Sequence, residues 1–290
     1  MQIRPHRRRR SVLYVPAIND KALAKLPSLT CDSVVIDLED SVAPSRKAEA
    51  RIAVMRFFQS WVPDGKEVVI RINALSSEWG MNDLEVARQC RPDAILLPKV
   101  ETARDVLDAN DALDDQEARP SLWLWAMVET PRAMLNLGAI AALRRDRSAR
   151  LACLVAGPND LVKDTGILAT PDRRYLMPWL MQMVLAARAG HLDILDGVSN
   201  DFRDLDAFER ECIEGSNMVF DGKTLIHPAQ IDIANRTFSP SSTQVEEALA
   251  IREAFNLPEN ADKGVISLTG KMVERLHLEQ AERLLIKAGL

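Results

Sequence analysis

The chain has 290 residues, of which 47% are hydrophobic and 27% charged, and its formal net charge is −5. This length fits a single α/β barrel, and the composition excludes a largely disordered chain. The negative balance excludes a general attraction to nucleic acid or to anionic lipid, and no apolar run is long enough to span a bilayer. We therefore expect neither nucleic acid nor a membrane as a partner.

The N-terminal segment, residues 1–10, ends in the run HRRRR at positions 6–10. A short run of like charges is most simply a solvated basic arm, although phosphate binding or a targeting role is an alternative. The apolar stretch that follows is too short for a signal peptide, because charged residues begin at Asp20. These features predict a cytoplasmic protein.

The four cysteines lie at positions 31, 90, 153 and 212, and they form no CxxC motif. They also show no Cys/His spacing suited to zinc, so we predict buried thiols in a reducing compartment. The four histidines form no local pair either. A bound metal would therefore be a hard cation held by oxygen ligands.

Short apolar runs alternate with helical patterns along most of the chain. The predicted strands cover 11–15, 33–37, 67–72, 94–98, 122–128, 151–156, 192–198 and 223–227, and the predicted helices cover 19–27, 44–60, 81–90, 102–115, 131–146, 172–189, 204–215 and 228–236. Uninterrupted apolar strands are typical of a parallel sheet covered on both faces. Eight such units predict a (β/α)8 TIM barrel over residues 11–240. A doubly wound open sheet is the alternative, but no glycine-rich nucleotide motif follows any strand.

The pattern changes after the eighth unit. SPSSTQVEEALAIREAF begins with helix-start residues, and LPENADKG then interrupts the chain. We predict a C-terminal helical extension over residues 241–290, which forms either a cap on the barrel or a lid.

Polar residues follow the predicted strands at the ends where barrel strands converge on one mouth. They are Asp37, Glu39, Asp40, Arg71, Asn73, Lys99, Glu101, Glu129, Asn159, Asp160 and His227. Crowded carboxylates take up protons, hold water or bind a cation, and Mg²⁺ suits this ligand set. The residues alone leave open which two acids bind it. Arg71 pairs with Asp40 or Glu101, or receives a substrate carboxylate or enolate oxygen.

Several blocks of the sequence resemble the citrate lyase β-subunit-like family, which includes malyl-CoA and citramalyl-CoA lyases. The blocks are RSVLYVPA, VVIDLEDSVAPSRKAEAR, VVIRINA followed by WGMNDL, AILLPKVE, VETPRAM, AGPNDL and FDGKTLIHPAQI. The resemblance covers about residues 10–290. It implies an Mg²⁺-dependent barrel that cleaves a 3-hydroxyacyl thioester by a retro-Claisen reaction.

The resemblance also implies roles for individual residues. Glu129 and Asp160 resemble the metal ligands, with Glu129 also at the substrate, and Arg71 resembles the group that binds the substrate carboxylate and the developing oxyanion. Glu39 and Asp40 resemble the acids that hold metal-bound waters, so Asp37, Glu39 and Asp40 are expected in the second shell of the metal, Asp40 also with a catalytic role.

The family's lid aspartate, an acid or base in a GKM-hydrophobic-Asp motif, is matched here by Glu274 in GKMVE. The extra methylene displaces the carboxylate by about one bond length, and an acid at a helix start is the alternative interpretation of Glu274. Because such a lid often reaches a neighbouring subunit, the resemblance implies a homo-oligomer, a trimer or a dimer of trimers.

The preferred substrate is an acyl-CoA thioester, (S)-citramalyl-CoA, which would give pyruvate and acetyl-CoA. The alternatives are a citryl-CoA or citryl-carrier lyase β subunit, a malyl-CoA lyase, an acyl-CoA thioesterase, and a non-catalytic CoA-binding protein. We interpret His227 as a residue that orients a loop, and Lys99 as a support for the acid cluster or a phosphate contact.

Overall fold

A computed structural model of the chain describes residues 7–61, 65–146 and 149–290. The strands are β1 Ser11–Pro16, β2 Ser33–Asp37, β3 Glu67–Arg71, β4 Ala94–Leu97, β5 Trp123–Val128, β6 Leu151–Ala156, β7 Asp193–Asp196, β8 Gly222–Leu225, β9 Val265–Leu268 and β10 Lys271–Glu274. The helices are α1 Asp20–Lys25, α2 Lys47–Ser60, α3 Gly80–Cys90, α4 Ala103–Asp115, α5 Pro131–Ala142, α6 Pro158–Thr165, α7 Met177–Ala189, α8 Leu205–Asn217, α9 Ile231–Thr237, α10 Ser242–Asn256 and α11 Arg275–Ala288.

Strands β1 to β8 form a closed parallel barrel in chain order. Closure occurs where β1 pairs with β8, with Ser11 opposite Lys223. The predicted (β/α)8 barrel is confirmed, and the open doubly wound sheet is wrong. Nearly every strand residue is buried, because helices cover the outer face and side chains fill the inner one. This double burial explains why the strands are continuous apolar runs in the sequence.

The barrel interior has its own apolar cluster, separate from the larger one between strands and helices. Trp125 is its largest fully buried member. Tyr14 packs against this cluster, and Met127 belongs to it. Both residues also line the cavity described below. The interior is therefore packed below the mouth and becomes a cavity only at one end.

One helix of the barrel was not predicted. Helix α6 has eight residues and follows β6 at once, with Pro158 at its start and left-handed Gly166 at its end. No helix was predicted at residues 158–165, because so short a helix gives little periodic pattern. Several predicted bounds also shift: β7 spans four residues rather than seven.

Residues Ser239–Leu290 form a second compact unit, to which Arg7 and Arg8 also belong. The two helices α10 and α11 pack together around Ala248, Ala281 and Leu285. Between them β9 and β10 form an antiparallel hairpin, whose turn contains left-handed Thr269 and Gly270. The extension predicted as helical contains the two helices and, in addition, a hairpin before the last helix that was not predicted.

The basic segment before β1 departs from the predicted solvated arm. Arg9 is only 3% exposed and forms ion pairs with Glu67 and Asp193. Arg10 binds Asp32 through two nitrogens, at 2.8 and 2.7 Å. The arm prediction for residues 1–6 lies outside the described residues. The two arginines next to β1 are thus structural parts of the barrel.

Two further expectations concern the chain as a whole. No helix in the described ranges has both the length and the apolar character needed to cross a membrane. All four cysteines are free thiols, and Cys31, Cys153 and Cys212 are buried while Cys90 is partly exposed.

Candidate active site

A cavity of about 420 Å³ opens at the mouth, the end of the barrel where the strands finish. Both charged and apolar side chains line it. The lining residues are Tyr14, Pro16, Asp37, Asp40, Ser41, Arg71, Met127, Glu129, Ala156, Gly157, Pro158, Asn159, Asp160, Val198, Asn200, Thr224 and Ile226. From the predicted set, the cavity therefore brings together Asp37, Asp40, Arg71, Glu129, Asn159 and Asp160.

Arg71 is the buried cation of the site and ends strand β3. Its Nε and Nη2 donate to the two oxygens of Asp37, each at 2.7 Å. Asp37 also accepts hydrogen bonds from the backbone N–H groups of Glu39 and Ser41. Burial opposes ionisation of Asp37, but Arg71 and these hydrogen bonds lower its pKa below the usual value. Both oxygens of Asp37 therefore bind Arg71. The expected position of Asp37 in the second shell of a metal stays a prediction.

The remaining nitrogen of Arg71, Nη1, makes only longer or poorly aligned contacts. It lies 3.4 Å from Asp40 Oδ2 and 3.8 Å from the Met127 sulfur. Glu39 Oε2 is 2.9 Å away, yet within the described structure this buried oxygen accepts no hydrogen bond of acceptable geometry. The alternative pairing with Glu101 is wrong, because the cation beside Glu101 is Arg132, at 3.6 Å.

Glu129 and Asp160 come from neighbouring strand ends. Glu129 follows β5 and is 1% exposed, while Asp160 lies in the first turn of α6. Glu129 Oε1 accepts a 2.6 Å hydrogen bond from the backbone of Lys99, whose left-handed φ of 50° turns this N–H towards it. Burial, reinforced by the charge of Asp160, raises the Glu129 pKa to about 7.

A glycine leaves the space next to this carboxylate. A Cβ at Gly157 would lie 2.3 Å from the Glu129 Cβ and 2.9 Å from its Oε2. Any larger residue would therefore displace Glu129. The absence of a side chain at position 157 keeps the second carboxylate oxygen accessible.

Glu39 is an acid of the mouth whose pKa is strongly raised. Burial is the main reason that its pKa is raised to about 8, and the negative charges of Asp40, Glu129 and Asp37 add to it. Arg71 opposes this shift, and Lys99 Nζ lies 3.5 Å from Glu39 Oε1. Two cations thus fail to balance the acids gathered here, and the mouth carries uncompensated negative charge.

This charge pattern fits a hard divalent cation. Glu129 and Asp160 supply carboxylates, and the gap at Gly157 leaves room beside one of them. No group of three or more His, Cys, Asp or Glu side chains within the described ranges is arranged to hold a metal alone. A cation here would complete its shell with water and ligand oxygens, which is the habit of Mg²⁺.

Two other predicted residues, Asn73 and His227, make contacts with the surrounding loops. Asn73 is buried and binds the Leu38 carbonyl and Asp83, outside the cavity lining. His227 Nδ1 accepts a hydrogen bond from the backbone of Ala229, and its ring stacks on Phe202 at 4.6 Å. These contacts confirm that His227 orients a loop.

At the rim of the cavity, Asn159 and Asn200 exchange side-chain hydrogen bonds of 3.1 and 2.9 Å. They join the start of α6 to the loop after β7.

Glu274 ends β10 and immediately precedes α11 in the second unit. Its backbone N–H donates to His277 Nδ1 at 2.9 Å, so it occupies the start of the last helix. This agrees with the alternative interpretation of a helix-start acid. Its catalytic role stays a prediction.

Tyr14 and Met127 are two of the cavity residues that sequence reasoning missed. Both lie within apolar strand runs, where an aromatic or a methionine usually signals core. Their position near the carboxyl ends of β1 and β5 was the available signal, because side chains there reach the mouth.

Comparison with known proteins agrees with this geometry. A family model described as HpcH/HpaI aldolase/citrate lyase matches residues 10–228. A (3S)-malyl-CoA thioesterase of Cereibacter sphaeroides is 43% identical over 96% of this chain and 94% of the relative. The citrate lyase subunit beta of Escherichia coli is 34% identical over 100% of this chain and 96% of its own length. The mitochondrial citramalyl-CoA lyase of Mus musculus is 31% identical over 97% and 86%, respectively.

A solved structure resembles the whole chain. It is the CitE protein of Mycobacterium tuberculosis in complex with magnesium, acetoacetate and coenzyme A. The TM-score is 0.75 at 27% identity, and the match covers 99% of this chain and 100% of the other.

Proposed function

Because the chain belongs to the HpcH/HpaI aldolase/citrate lyase family, a family of carbon–carbon lyases, we propose that it cleaves a 3-hydroxyacyl-CoA with the help of Mg²⁺. The preferred substrate is (S)-citramalyl-CoA, and the products are pyruvate and acetyl-CoA. A lyase that acts on a citryl thioester, as the relationship to citrate lyase subunit beta suggests, or on a malyl thioester is the nearest alternative.

One observation carries this proposal. Arg71, Glu129 and Asp160 line the same cavity, and the two acids share negative charge that the local cations do not balance. A cation site next to a partly free guanidinium suits a ligand that has a hydroxyl, a carboxylate and a thioester. The magnesium in the solved M. tuberculosis relative supports the same metal here.

The chain's residues divide the work of the retro-Claisen reaction. Glu129 and Asp160 would hold Mg²⁺, which when bound polarises ligand oxygens. Arg71, fixed by Asp37, presents Nη1 to the substrate carboxylate or to the thioester oxygen as negative charge develops on it.

In the bond-breaking step the 3-hydroxyl loses its proton and becomes the carbonyl of the keto acid. The bond between C2 and C3 breaks, and its electron pair forms the thioester enolate, which takes a proton at C2. Glu274 and Asp40 are the candidates for this proton traffic. The Asp40 side chain is 61% exposed at the rim of the mouth, where it can exchange protons with solvent.

Thioester hydrolysis is a second candidate, favoured by the 43% identity to the thioesterase. In that reaction water attacks the thioester carbonyl and the bond between C2 and C3 survives. The same Arg71 edge and cation would stabilise the oxyanion, so the site serves either outcome.

The deciding experiment follows both products from (S)-citramalyl-CoA and (3S)-malyl-CoA with Mg²⁺. Lactate dehydrogenase with NADH measures pyruvate. Malate dehydrogenase measures malate, and a glyoxylate-specific derivatising reagent measures glyoxylate. A thiol reagent measures free CoA. Keto acid without free CoA supports the lyase, and free CoA without keto acid supports the thioesterase. Absence of both products with both thioesters contradicts the proposed function.

The variants Glu129→Gln and Asp160→Asn test the cation site, with Glu101→Gln as the matched control. Glu101 is an acid of the mouth that stands outside the cavity lining. We expect loss of Mg²⁺ binding and of turnover in the first two variants only, and Mg²⁺ titration calorimetry checks it. Equal Mg²⁺ affinity in all three would contradict the assignment.

We also propose a homo-oligomer, a trimer or a dimer of trimers, in which Glu274 serves the site of a neighbouring subunit. Mixing inactive Glu129→Gln and Glu274→Gln chains tests this directly. Mixed oligomers would regain activity, because some sites would receive both intact residues. No recovery on mixing, or a monomer by light scattering, would reject the shared site.

A further inference from the structure

Tyr14 and Arg71 face the same point of the cavity. The Tyr14 ring lies under the Arg71 guanidinium, whose Cζ is 4.9 Å from the ring centroid. Its hydroxyl reaches the Met127 sulfur at 4.0 Å, and Arg71 Nη1 reaches that sulfur at 3.8 Å. Two donors on different strands therefore converge on one atom, and all three residues line the cavity.

This acceptor is a poor match for its donors. A thioether sulfur accepts hydrogen bonds weakly, whereas a guanidinium and a phenol are strong donors. The other two Arg71 nitrogens donate to Asp37 at 2.7 Å, which shows what a well-matched partner looks like here. Nη1 also lies 2.9 Å from Glu39 Oε2, which is not aligned to accept its hydrogen bond, and 3.4 Å from Asp40 Oδ2. Neither Nη1 nor the phenol therefore makes a short, well-aligned hydrogen bond like those to Asp37.

The phenol stays a donor throughout the physiological range. Burial raises its pKa well above the ordinary value, with Asp37, Glu129 and Glu39 adding to the effect against Arg71. The nearby acids Glu39 and Asp40 compete for the charge of Arg71. A neutral O–H adds attraction for an anion that these carboxylates do not cancel.

We propose that the Tyr14 hydroxyl and Arg71 Nη1 together bind one anionic oxygen of the ligand. In the structure both donors point to the Met127 sulfur instead. The proposal rests on the proposed function and deepens it, since the oxygen belongs to a carboxylate or to the enolate of a thioester. Tyr14 thereby becomes a substrate-contacting residue beside Arg71.

The test removes one oxygen atom. Tyr14→Phe deletes the hydroxyl but keeps the ring under the guanidinium. Tyr175→Phe is the matched control, because Tyr175 is the chain's other tyrosine and is 52% exposed outside the cavity. Binding of acetoacetate in the presence of Mg²⁺ is measured by calorimetry, and kcat and KM are measured with the thioester that the enzyme turns over.

A hydrogen bond to a charged oxygen contributes enough to make its loss cost about 10- to 100-fold in affinity. We expect that loss for Tyr14→Phe, with wild-type binding for Tyr175→Phe and an unchanged melting temperature for both. Met127→Leu removes the sulfur at similar size, and it should bind acetoacetate at least as tightly as the wild type.

Each result is decisive. Equal acetoacetate affinity in Tyr14→Phe and the wild type overturns the two-donor site, even if the enzyme cleaves its thioester normally. Weaker binding in Tyr14→Phe supports the site even if the turnover assays reject the lyase. A wild type that binds no acetoacetate overturns the site, and loss of stability without loss of affinity in Tyr14→Phe makes Tyr14 purely structural.

Discussion

The barrel has a buried arginine at each of its ends, and each guanidinium donates two hydrogen bonds to one carboxylate. At the mouth, Arg71 donates through Nε and Nη2 to the two oxygens of Asp37. At the floor, the end where the strands begin, Arg9 donates through the same two nitrogens to Glu67, at 2.6 and 2.5 Å. Each guanidinium also lies over an aromatic ring, at 4.9 and 4.8 Å.

The two ends differ at the third nitrogen. Nη1 of Arg9 meets the carboxylate of Asp193, so the floor is closed. Nη1 of Arg71 faces a cavity and a sulfur atom, and the Glu39 oxygen that lies 2.9 Å from it is not aligned to accept its hydrogen bond. The same construction is thus structural when every donor has a matched acceptor, and available for chemistry when one donor is left under-used. This agrees with the division of α/β barrels into a stability face and an activity face.

Replacing either of these two carboxylates with an amide should have the largest effect on stability. Asp37→Asn and Glu67→Gln each remove the carboxylate that binds a buried guanidinium through two hydrogen bonds, and we expect each to lower the free energy of unfolding by about 3–5 kcal/mol. Only Asp37→Asn should also reduce turnover, because it releases Arg71. Denaturant unfolding and steady-state kinetics check both variants, and a loss of turnover in Glu67→Gln would erase the distinction between the ends.

Replacing the arginines themselves separates the ends by activity. Lysine keeps the charge but lacks the fork, so Arg71→Lys should lower kcat/KM by about 10²–10³. Arg9→Lys should leave kcat/KM unchanged while it lowers the melting temperature. Equal kinetic losses in both variants would contradict an active role confined to Arg71.

The acids of the mouth should make stability depend on pH. The pKa of Glu39 is raised to about 8, so the folded state holds this proton more tightly than the unfolded state does. The resulting stability is present at low pH and is lost as pH rises from about 4.5 to about 8, by up to about 1.4 kcal/mol per pH unit. In metal-free protein, Glu39→Gln should reduce this slope and leave the part due to Glu129, whose pKa is raised to about 7, as urea unfolding at several pH values will show.

Asp37 predicts the opposite limb of the same curve. Its pKa is lowered in the folded state, so its contribution is present above about pH 4 and disappears as pH falls through the folded pKa. Asp37→Asn should flatten this acid limb, and an acid limb as steep as that of the wild type would point to a different titrating group. The variant should also lose part of the slope that Glu39 causes at higher pH, because the charge of Asp37 helps to raise the Glu39 pKa.

The smallest effects distinguish two glycines. Gly157→Ala should weaken Mg²⁺ binding, because its Cβ would push Glu129 aside. Gly138→Ala, in the open space of helix α5, should instead raise the free energy of unfolding by about 0.5–1 kcal/mol. Calorimetry and unfolding measure the two outcomes, and wild-type Mg²⁺ affinity in Gly157→Ala would remove the steric argument.

The barrel and its mouth were predictable because they depend on local signals. Each strand of the barrel is buried on both faces, so its sequence is an apolar run. The residues that follow the parallel strands must meet at one end of the barrel. The strand ends alone placed Glu129, Asp160 and Arg71 in one cavity.

The contacts that decide each role were not predictable, because their partners are distant in the chain. Arg9 looked like part of a solvated run, yet it is buried by Glu67 and Asp193, 58 and 184 residues away. Helix α6 and the hairpin were missed because their elements are short. Gly157 before Pro158, and Thr269 with Gly270, were the signals that could have revealed them.

The mouth also has a side where evolution has little freedom. A Cβ at Gly197 would lie 2.1 Å from the Pro158 ring, just as one at Gly157 would strike Glu129. The ends of β5, β6 and β7 therefore pack together closely only because residues 157 and 197 are glycines. A larger residue at 157 would push Glu129, and one at 197 would push Pro158 and with it the helix that carries Asp160. Changes of substrate among descendants of this chain should accumulate instead at Ile226, a cavity residue that is 40% exposed and can change in size with little effect on the buried acids.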